Sequence, residues 1–277
     1  MPIYQLHPNI LQFPSPNEAE PSGLLAVGGD LSSDRILMAY QQGIFPWYEE
    51  GQPLLWWSPD PRLVLFPEKI HITRSLAKVL RNRPHQVRYD SHFAEVIDQC
   101  ATTRALEGTW ITGAMKSAYI RLHEQGFAHS IEVWEEDQLV GGLYGISLGH
   151  CFFGESMFSK KSNASKVALV SLSKFAMEQG LRFIDCQVTT DHLLSLGAEE
   201  MSRKDFLEML QHELNYPTHG AAGSPLNGIF MAKQKAMFLL KLSYPVAMMI
   251  LLISGFSLVI SFYMGTVSYT HLTLPTT

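Results

Sequence analysis

The sequence predicts a mixed α+β fold, on three observations. Residues 91–125 carry two stretches with apolar residues at helical spacing. Residues 130–155 then alternate, broken by turn signals at Glu135-Glu-Asp137 and Leu148-Gly149, which marks three antiparallel strands. A helix at 163–179, a strand at 182–188 and a short helix from about Asp191 follow, so helices and strands share a layered core. The composition suits such a fold: of 277 residues, 46% are hydrophobic and 17% charged, which is ordinary for a globular chain. The length suits one large domain with a small one, or two modest domains.

Residues 1–22 are rich in Pro and Asn and predict turns and extended pieces. Leu24-Leu-Ala-Val27 is a short apolar run ended by Gly28-Gly-Asp30. Ser32 or Ser33 caps a helix to about Gln42, with Asp34 in its first turn, Gly43 just beyond, and Ile36, Leu37 and Tyr40 on one face. Two segments then crowd aromatics among prolines, Gly43-Ile-Phe-Pro-Trp-Tyr48 and Leu54-Leu-Trp-Trp-Ser-Pro-Asp-Pro-Arg62. Proline fixes φ and removes a donor, so stiff irregular chain is expected here. Aromatic faces held that way can stack on flat ligands such as bases; filling a small core is the equal alternative.

Residues 63–66 read as a strand, and Thr73 starts a helix. Residues 69–88 hold Lys69, Arg74, Lys78, Arg81, Arg83 and Arg88 and no acid. Arg74, Lys78 and Arg81 fall at i, i+4 and i+7, a positive stripe on a chain of net charge −5. Such a stripe suits a phosphate backbone; a solvated helix face is the plainer reading. Residues 86–89 form a short strand. Ser91 caps a helix to about Thr103, with Phe93, Val96, Ile97 and Cys100 on one side. Glu107-Gly-Thr-Trp-Ile-Thr112 is a loop carrying Trp110, and a second helix runs from about Gly113 to Gln125 with Met115, Tyr119 and Leu122 inward. Gly180 ends the helix at 163–179, and residues 202–214 form a last amphipathic helix.

The candidate site lies in two stretches. Phe152-Phe-Gly-Glu-Ser-Met-Phe-Ser159 sets one carboxylate, Glu155, among apolar residues. Ile184-Asp-Cys-Gln-Val188 sets Asp185 and Gln187 two apart, where strand alternation aims both at one face. Burying such groups is costly unless they are paired or used. Asp185 could also do no more than satisfy backbone groups, and Cys186 reads as packing.

Cys100, Cys151 and Cys186 are odd in number and far apart, with no C-x-x-C, and the 11 histidines show no H-E-x-x-H. Neither a disulfide framework nor a metal is expected. The first residues lack the basic and apolar regions of a signal peptide, so a cytoplasmic protein is expected. Composition shifts after residue 216. Residues 242–277 hold no Lys, Arg, Asp or Glu, and 242–264 are almost wholly apolar and long enough to span a bilayer. That stretch, preceded by Lys233, Lys235 and Lys241, is a transmembrane candidate.

An ordered series of blocks then carries a resemblance. Gly23-Leu-Leu-Ala26, Gly28-Gly-Asp-Leu31, Tyr40, Gly43-Ile-Phe-Pro-Trp47, Trp56-Trp-Ser-Pro-Asp-Pro-Arg62, Glu107-Gly-Thr-Trp-Ile-Thr112 and His129-Ser-Ile-Glu-Val-Trp134 come first. Gly154-Glu-Ser-Met-Phe-Ser159, Asn163-Ala-Ser-Lys166, Asp185-Cys-Gln187, His192 and Ser195-Leu-Gly-Ala198 follow. On these the chain, over roughly residues 3–214, resembles the bacterial leucyl/phenylalanyl-tRNA–protein transferases. The resemblance implies a small N-terminal domain (1–62) and a domain of the acyl-CoA N-acyltransferase type (63–216), with 217–277 outside the fold. It implies transfer of Leu or Phe, with Met as a further donor, from aminoacyl-tRNA to proteins beginning with Arg or Lys, which tags them for N-end-rule degradation. The partners would be Leu-tRNA, Phe-tRNA and those acceptor proteins. No metal and no CoA would be needed, and a monomer is expected.

The same resemblance assigns roles. Gln187 would contact the reacting centre, Asp185 would promote deprotonation directly or by relay, and Glu155 would hold Gln187 and the substrate. Trp47 and Trp110 would stack on the terminal adenosine, with Tyr40 and Tyr119 beside them. Leu143, Phe152, Leu169 and Ile184 would form the pocket for the Leu or Phe side chain, although by pattern alone they are equally core. Arg74, Lys78 and Arg81 would hold the acceptor stem. An aminoacyl ester is already activated, so the chemistry needs no Ser or Cys nucleophile, only an amine freed of its proton and a stabilised oxyanion.

Two other readings compete. A CoA-dependent N-acetyltransferase on the same fold would need a Gly-rich pyrophosphate loop; here that place reads Ser159-Lys-Lys-Ser-Asn-Ala-Ser165, so CoA use is not expected. A membrane-tethered RNA-binding module would use the basic stripe and the apolar tail. The tail departs from the family, and Val267-Ser-Tyr-Thr-His-Leu-Thr-Leu-Pro-Thr-Thr277 resembles translated adaptor or read-through sequence. Residues after about Gly220 are therefore expected to be foreign or frame-shifted.

Overall fold

The apolar runs pair into two sheets, and the proline block joins them. A computed structural model describes residues 3–82, 85–103 and 110–215. The expectations for residues 107–109, the transmembrane candidate and the tail lie outside these. Among the described residues, no helix is long and apolar enough to cross a membrane.

The first sheet has four strands: β1 (Tyr4–Leu6), β2 (Leu24–Gly28), β3 (Phe45–Pro46) and β4 (Leu55–Trp57), in the order β1-β2-β4-β3. Helix α1 (Ser33–Gln41) starts at Ser32, whose side chain accepts from the Arg35 N–H. Residues 43–62 are not wholly irregular, as the prolines suggested. Phe45 and Pro46 pair with Trp57 and Trp56 at the sheet edge, where proline's missing N–H leaves no ladder partner unmet. Buried Trp56 donates to the Gly28 carbonyl at 2.9 Å.

The second sheet has seven strands in the order β11-β5-β10-β9-β8-β7-β6. They are β5 (Arg62–Leu65), β6 (Gln86–Tyr89), β7 (Ala128–Glu135), β8 (Gln138–Leu148), β9 (Cys151–Ser159), β10 (Phe183–Gln187) and β11 (Glu199–Met201). β7, β8 and β9 form the expected antiparallel meander. Helix α5 (Ala164–Gln179) crosses over to β10, which pairs parallel with β9. One face is covered by α5, with α2 (Arg74–Asn82) outside it, and the other by α3 (Phe93–Thr103) and α4 (Gly113–Glu124). Helices α6 (Asp191–Ser195) and α7 (Arg203–Leu214) complete the described elements, and the Arg203 side chain returns α7 to the proline block by donating to the Ser58 carbonyl at 2.6 Å.

Some local readings change. Ser91 does not cap α3. The Ser91 and His92 N–H groups donate to Glu132 Oε1 at 2.8 and 2.7 Å, so a buried carboxylate from β7 closes that helix end. The alternation of β7 leaves no wet face, because helices cover both sides. β9 runs four residues beyond Glu155, and β11 is an added edge strand.

Two bulges break the ladders. Between β8 and β9 the register shifts at Tyr144/Gly145, leaving Glu155 as the extra residue. Between β10 and β5 it shifts at Asp185/Gln187, leaving Cys186 as the extra residue. Gly145 sits at the first bulge because nothing larger fits. A Cβ there would lie 2.1 Å from the Phe153 carbonyl oxygen and 2.5 Å from the Phe152 ring. Gly145→Ala is therefore expected to lower the thermal midpoint, by an overpacking cost of about 1–3 kcal/mol read from denaturant titration.

Candidate active site

The parallel ladder of β9 and β10 pairs Phe183, Ile184 and Asp185 with Cys151, Phe152 and Phe153, and there it ends. The residues that follow on both strands line a cavity of about 330 Å³. β9 contributes Gly154, Glu155, Ser156 and Met157, and β10 contributes Ile184, Cys186 and Gln187. Four successive residues of one strand can share a lining only because the bulge at Glu155 cancels the strict alternation.

Gln187 is shaped by the second bulge. Its φ is +60°, a left-handed conformation that costs a non-glycine residue on the order of 1 kcal/mol. Asp185 holds it there: Asp185 Oδ1 accepts from the Gln187 N–H at 3.0 Å. Asp185 does not line the cavity with Gln187, as plain alternation predicted, but lies fully buried behind it. Arg62 grips its carboxylate from β5 with two parallel hydrogen bonds, Nε to Oδ1 at 2.8 Å and Nη2 to Oδ2 at 2.6 Å. The remaining arm, Nη1, donates to the Gly43 carbonyl at 3.0 Å. The guanidinium sits 4.9 Å from the Phe45 ring centre and 4.5 Å from that of Phe206.

Glu155 is the carboxylate inside the cavity. Its Oε1 accepts from Gln187 Nε2 at 3.2 Å and lies 2.6 Å from the Tyr40 hydroxyl, and its Oε2 lies 2.9 Å from the Tyr119 hydroxyl. Burial pushes its pKa up from 4.5 to about 7, against the lowering effect of the two tyrosine hydrogen bonds; Asp185 adds to the rise and Arg62 opposes it. Tyr40 and Tyr119 are fully buried behind Glu155 rather than on the lining. Burial, and then the neighbouring Glu155, hold both phenols well above their usual range.

The walls divide by chemistry. Leu143, Leu169 and Ile184 form an apolar end together with Met157, Leu172 and Leu193, which the sequence reading did not single out. Phe152 is buried in the core beside them without reaching the lining. Phe45, Pro46, Trp47 and Trp110 form an aromatic wall, and Trp47 is 40% exposed. Trp57 steadies that wall by donating its indole N–H to the Trp47 carbonyl at 2.7 Å. Tyr144, Val188, Thr190 and His192 complete the lining, with burial and then Lys166 lowering the His192 pKa. Arg74, Lys78 and Arg81 are exposed on α2 and do not line the cavity. Among the described residues, no group of three or more His, Cys, Asp or Glu could hold a metal ion.

Two measurements test this geometry. Removing one partner of a buried ion pair strands the other, so Arg62→Met is expected to cost about 3–5 kcal/mol in urea unfolding, while Arg62→Met with Asp185→Leu recovers much of it. The raised Glu155 pKa means its neutral form is favoured on folding. Its contribution is fully present below pH 4.5 and lost as pH rises through about 7. Glu155→Gln is expected to flatten that part of the stability-versus-pH curve.

Comparison with known proteins fits the same residues. A family model described as leucyl/phenylalanyl-tRNA protein transferase matches residues 64–211, and the model of that family's N-terminal domain matches 29–60. A leucyl/phenylalanyl-tRNA–protein transferase of Pseudomonas fluorescens (strain Pf0-1) is 54% identical over 217 residues, 77% of this chain and 96% of the relative. One from Desulfatibacillum aliphaticivorans is 54% identical over 220 residues, 79% of this chain and 94% of the relative. Among solved structures, an aminoglycoside acetyltransferase from an uncultured soil sample overlaps 47% of this chain and 89% of its own, at 13% identity and a TM-score of 0.33. L-PGS from Bacillus licheniformis overlaps 60% of this chain and 54% of its own, at 9% identity and a TM-score of 0.34. Those overlaps are too partial to transfer a chemistry, whereas the family matches take in every residue that lines the cavity: the chain belongs to the leucyl/phenylalanyl-tRNA–protein transferase family.

Proposed function

We propose that this chain moves Leu or Phe from aminoacyl-tRNA to the α-amino group of an acceptor protein, in the cavity between β9 and β10. The observation that carries the reading is the division of that cavity: an apolar end, an aromatic wall, and the Glu155–Gln187 pair with them. Trp47 and Trp110 suit the terminal adenosine, since an aromatic face stacks on any base. The apolar end suits a Leu or Phe side chain and discriminates only modestly between such shapes. With its Nε2 committed to Glu155, Gln187 keeps Oε1 to accept a hydrogen from the incoming amine. Asp185 acts through Gln187 by holding its backbone, which accounts for a relay role without contact to substrate.

The finer assignments belong to the same proposal. Acceptors begin with Arg or Lys, the chain works as a monomer in the cytoplasm, and residues 1–62 and 63–216 act as two domains. The exposed Arg74, Lys78 and Arg81 hold the acceptor stem by charge alone.

The deciding experiment follows labelled Leu from Leu-tRNA to an Arg-starting peptide, with acetyl-CoA as the competing donor. Leu transfer without acetyl transfer supports the reading, and acetyl transfer alone sinks it. Trp47→Ala is expected to raise KM for the aminoacyl donor by the loss of about 1–3 kcal/mol of stacking. Replacing each of Arg74, Lys78 and Arg81 with Ala is expected to reduce the salt slope of tRNA binding by about 1 per residue, uniformly across tRNA sequences.

A further inference from the structure

Tyr40, Tyr119 and Glu155 touch one another in a closed triangle. The Tyr40 hydroxyl lies 2.6 Å from Glu155 Oε1, the Tyr119 hydroxyl 2.9 Å from Glu155 Oε2, and the two hydroxyls 2.6 Å from each other. Oxygens this close are hydrogen-bonded, with one hydrogen in each contact. An empty contact would set lone pair against lone pair in a buried setting, where such a clash is strongly felt. Three contacts need three hydrogens, and two phenols supply only two. The Gln187 amide hydrogen reaches Oε1 from outside the triangle and does not enter the count.

We propose that Glu155 is a neutral acid in the free enzyme, closing a three-hydrogen ring with Tyr40 and Tyr119, and that this ring is the proton relay of the transfer reaction. The relay rests on the functional reading above; the ring does not. As the C–N bond to the donor carbonyl forms and the C–O bond to the ribose breaks, the Glu155 acid hydrogen leaves its contact with the phenol, turns to the cavity and passes to the departing ribose oxygen. The resulting carboxylate accepts from both phenols, which leaves the Tyr40–Tyr119 contact without a hydrogen, and that cost favours its taking the proton that the new amide nitrogen sheds. Ester and neutral amine become amide and ribose hydroxyl, and the ring returns to its starting state. Glu155 is suited to this because it is the member of the ring that also lines the cavity.

The groups around Glu155 allow a neutral state. They are Tyr40 from α1, Tyr119 from α4, Gln187 and Asp185 from β10, and Arg62 from β5, with Tyr144 of β8, whose ring packs on Tyr119, and His192 of α6 on the same lining. Arg62 and Asp185 neutralise each other and leave little net field to hold a carboxylate charged. The burial-driven rise of the Glu155 pKa to about 7 agrees with the hydrogen count.

Infrared difference spectra of the free 277-residue protein at about pH 6 test the ring. Expected is a protonated-carboxyl band that Glu155→Gln removes and that Tyr40→Phe and Tyr119→Phe shift. No such band, or a band unmoved by either phenylalanine variant, overturns the ring. Single-turnover transfer from Leu-tRNA tests the relay. Wild type should rise with pH as the amine loses its proton and fall above the Glu155 pKa, whereas Glu155→Gln should be about 100-fold slower and lack the falling limb. A Glu155→Gln rate within about threefold of wild type overturns the relay. If wild type transfers nothing, the relay falls together with the functional reading, and the band alone decides the ring.

Discussion

The ion pair between Arg62 and Asp185 is the constraint on which the rest of the site depends. Both side chains are out of reach of water, so neither can be left alone without a heavy desolvation cost. The planar guanidinium solves this by spending every arm: two on Asp185, one on the Gly43 carbonyl, and its faces near Phe45 and Phe206. A lysine could not do the same, because a point charge has neither the fork nor the flat faces. Through Asp185 the pair fixes Gln187 in a conformation it would not choose, and through Gly43 it fixes the start of the aromatic wall. One side chain thus sets both the Gln187 backbone and the start of the aromatic wall.

The two bulges supply what regular strands cannot. A flat parallel pair would close β9 and β10 together and aim alternate side chains away from each other. With an extra residue on each strand, the ladder stops and consecutive residues turn toward one space. The cost is local: a left-handed Gln187, and a position at Gly145 that admits no side chain. Strain of this kind persists where surrounding contacts over-determine it, and here the buried Asp185–Arg62 pair does so.

Much of this was legible in the sequence. Helical spacing and turn residues located α1, α2, α4, α5 and α7 closely, because each carries apolar residues at helical spacing and is bounded by a Ser, Thr or Gly signal. Glu155 and Gln187 stood out as polar residues in apolar runs, and both line the cavity. What pattern could not show was anything set by distant partners. Asp185 and Gln187 look equivalent by alternation, and only a bulge opposite β5 separates them. Glu132 caps α3 from 40 residues away, so the adjacent Ser91 drew the assignment instead. Arg62 carried one weak signal, a lone cation closing a Pro-Asp-Pro run just before an apolar strand.

The aromatic wall of the cavity comes from the end of the first sheet and from Trp110 ahead of α4, and its apolar end from the second sheet and its helices. A ligand that fills both must carry a flat ring and a greasy side chain a set distance apart. The cavity is therefore a gauge of linkage as well as of parts. Under the proposed function, a free amino acid satisfies one end, a nucleoside the other, and only their ester spans the space with its carbonyl beside Gln187. Selectivity for a charged tRNA end over the abundant uncharged pieces would then follow from bidentate fit, with no separate checking site.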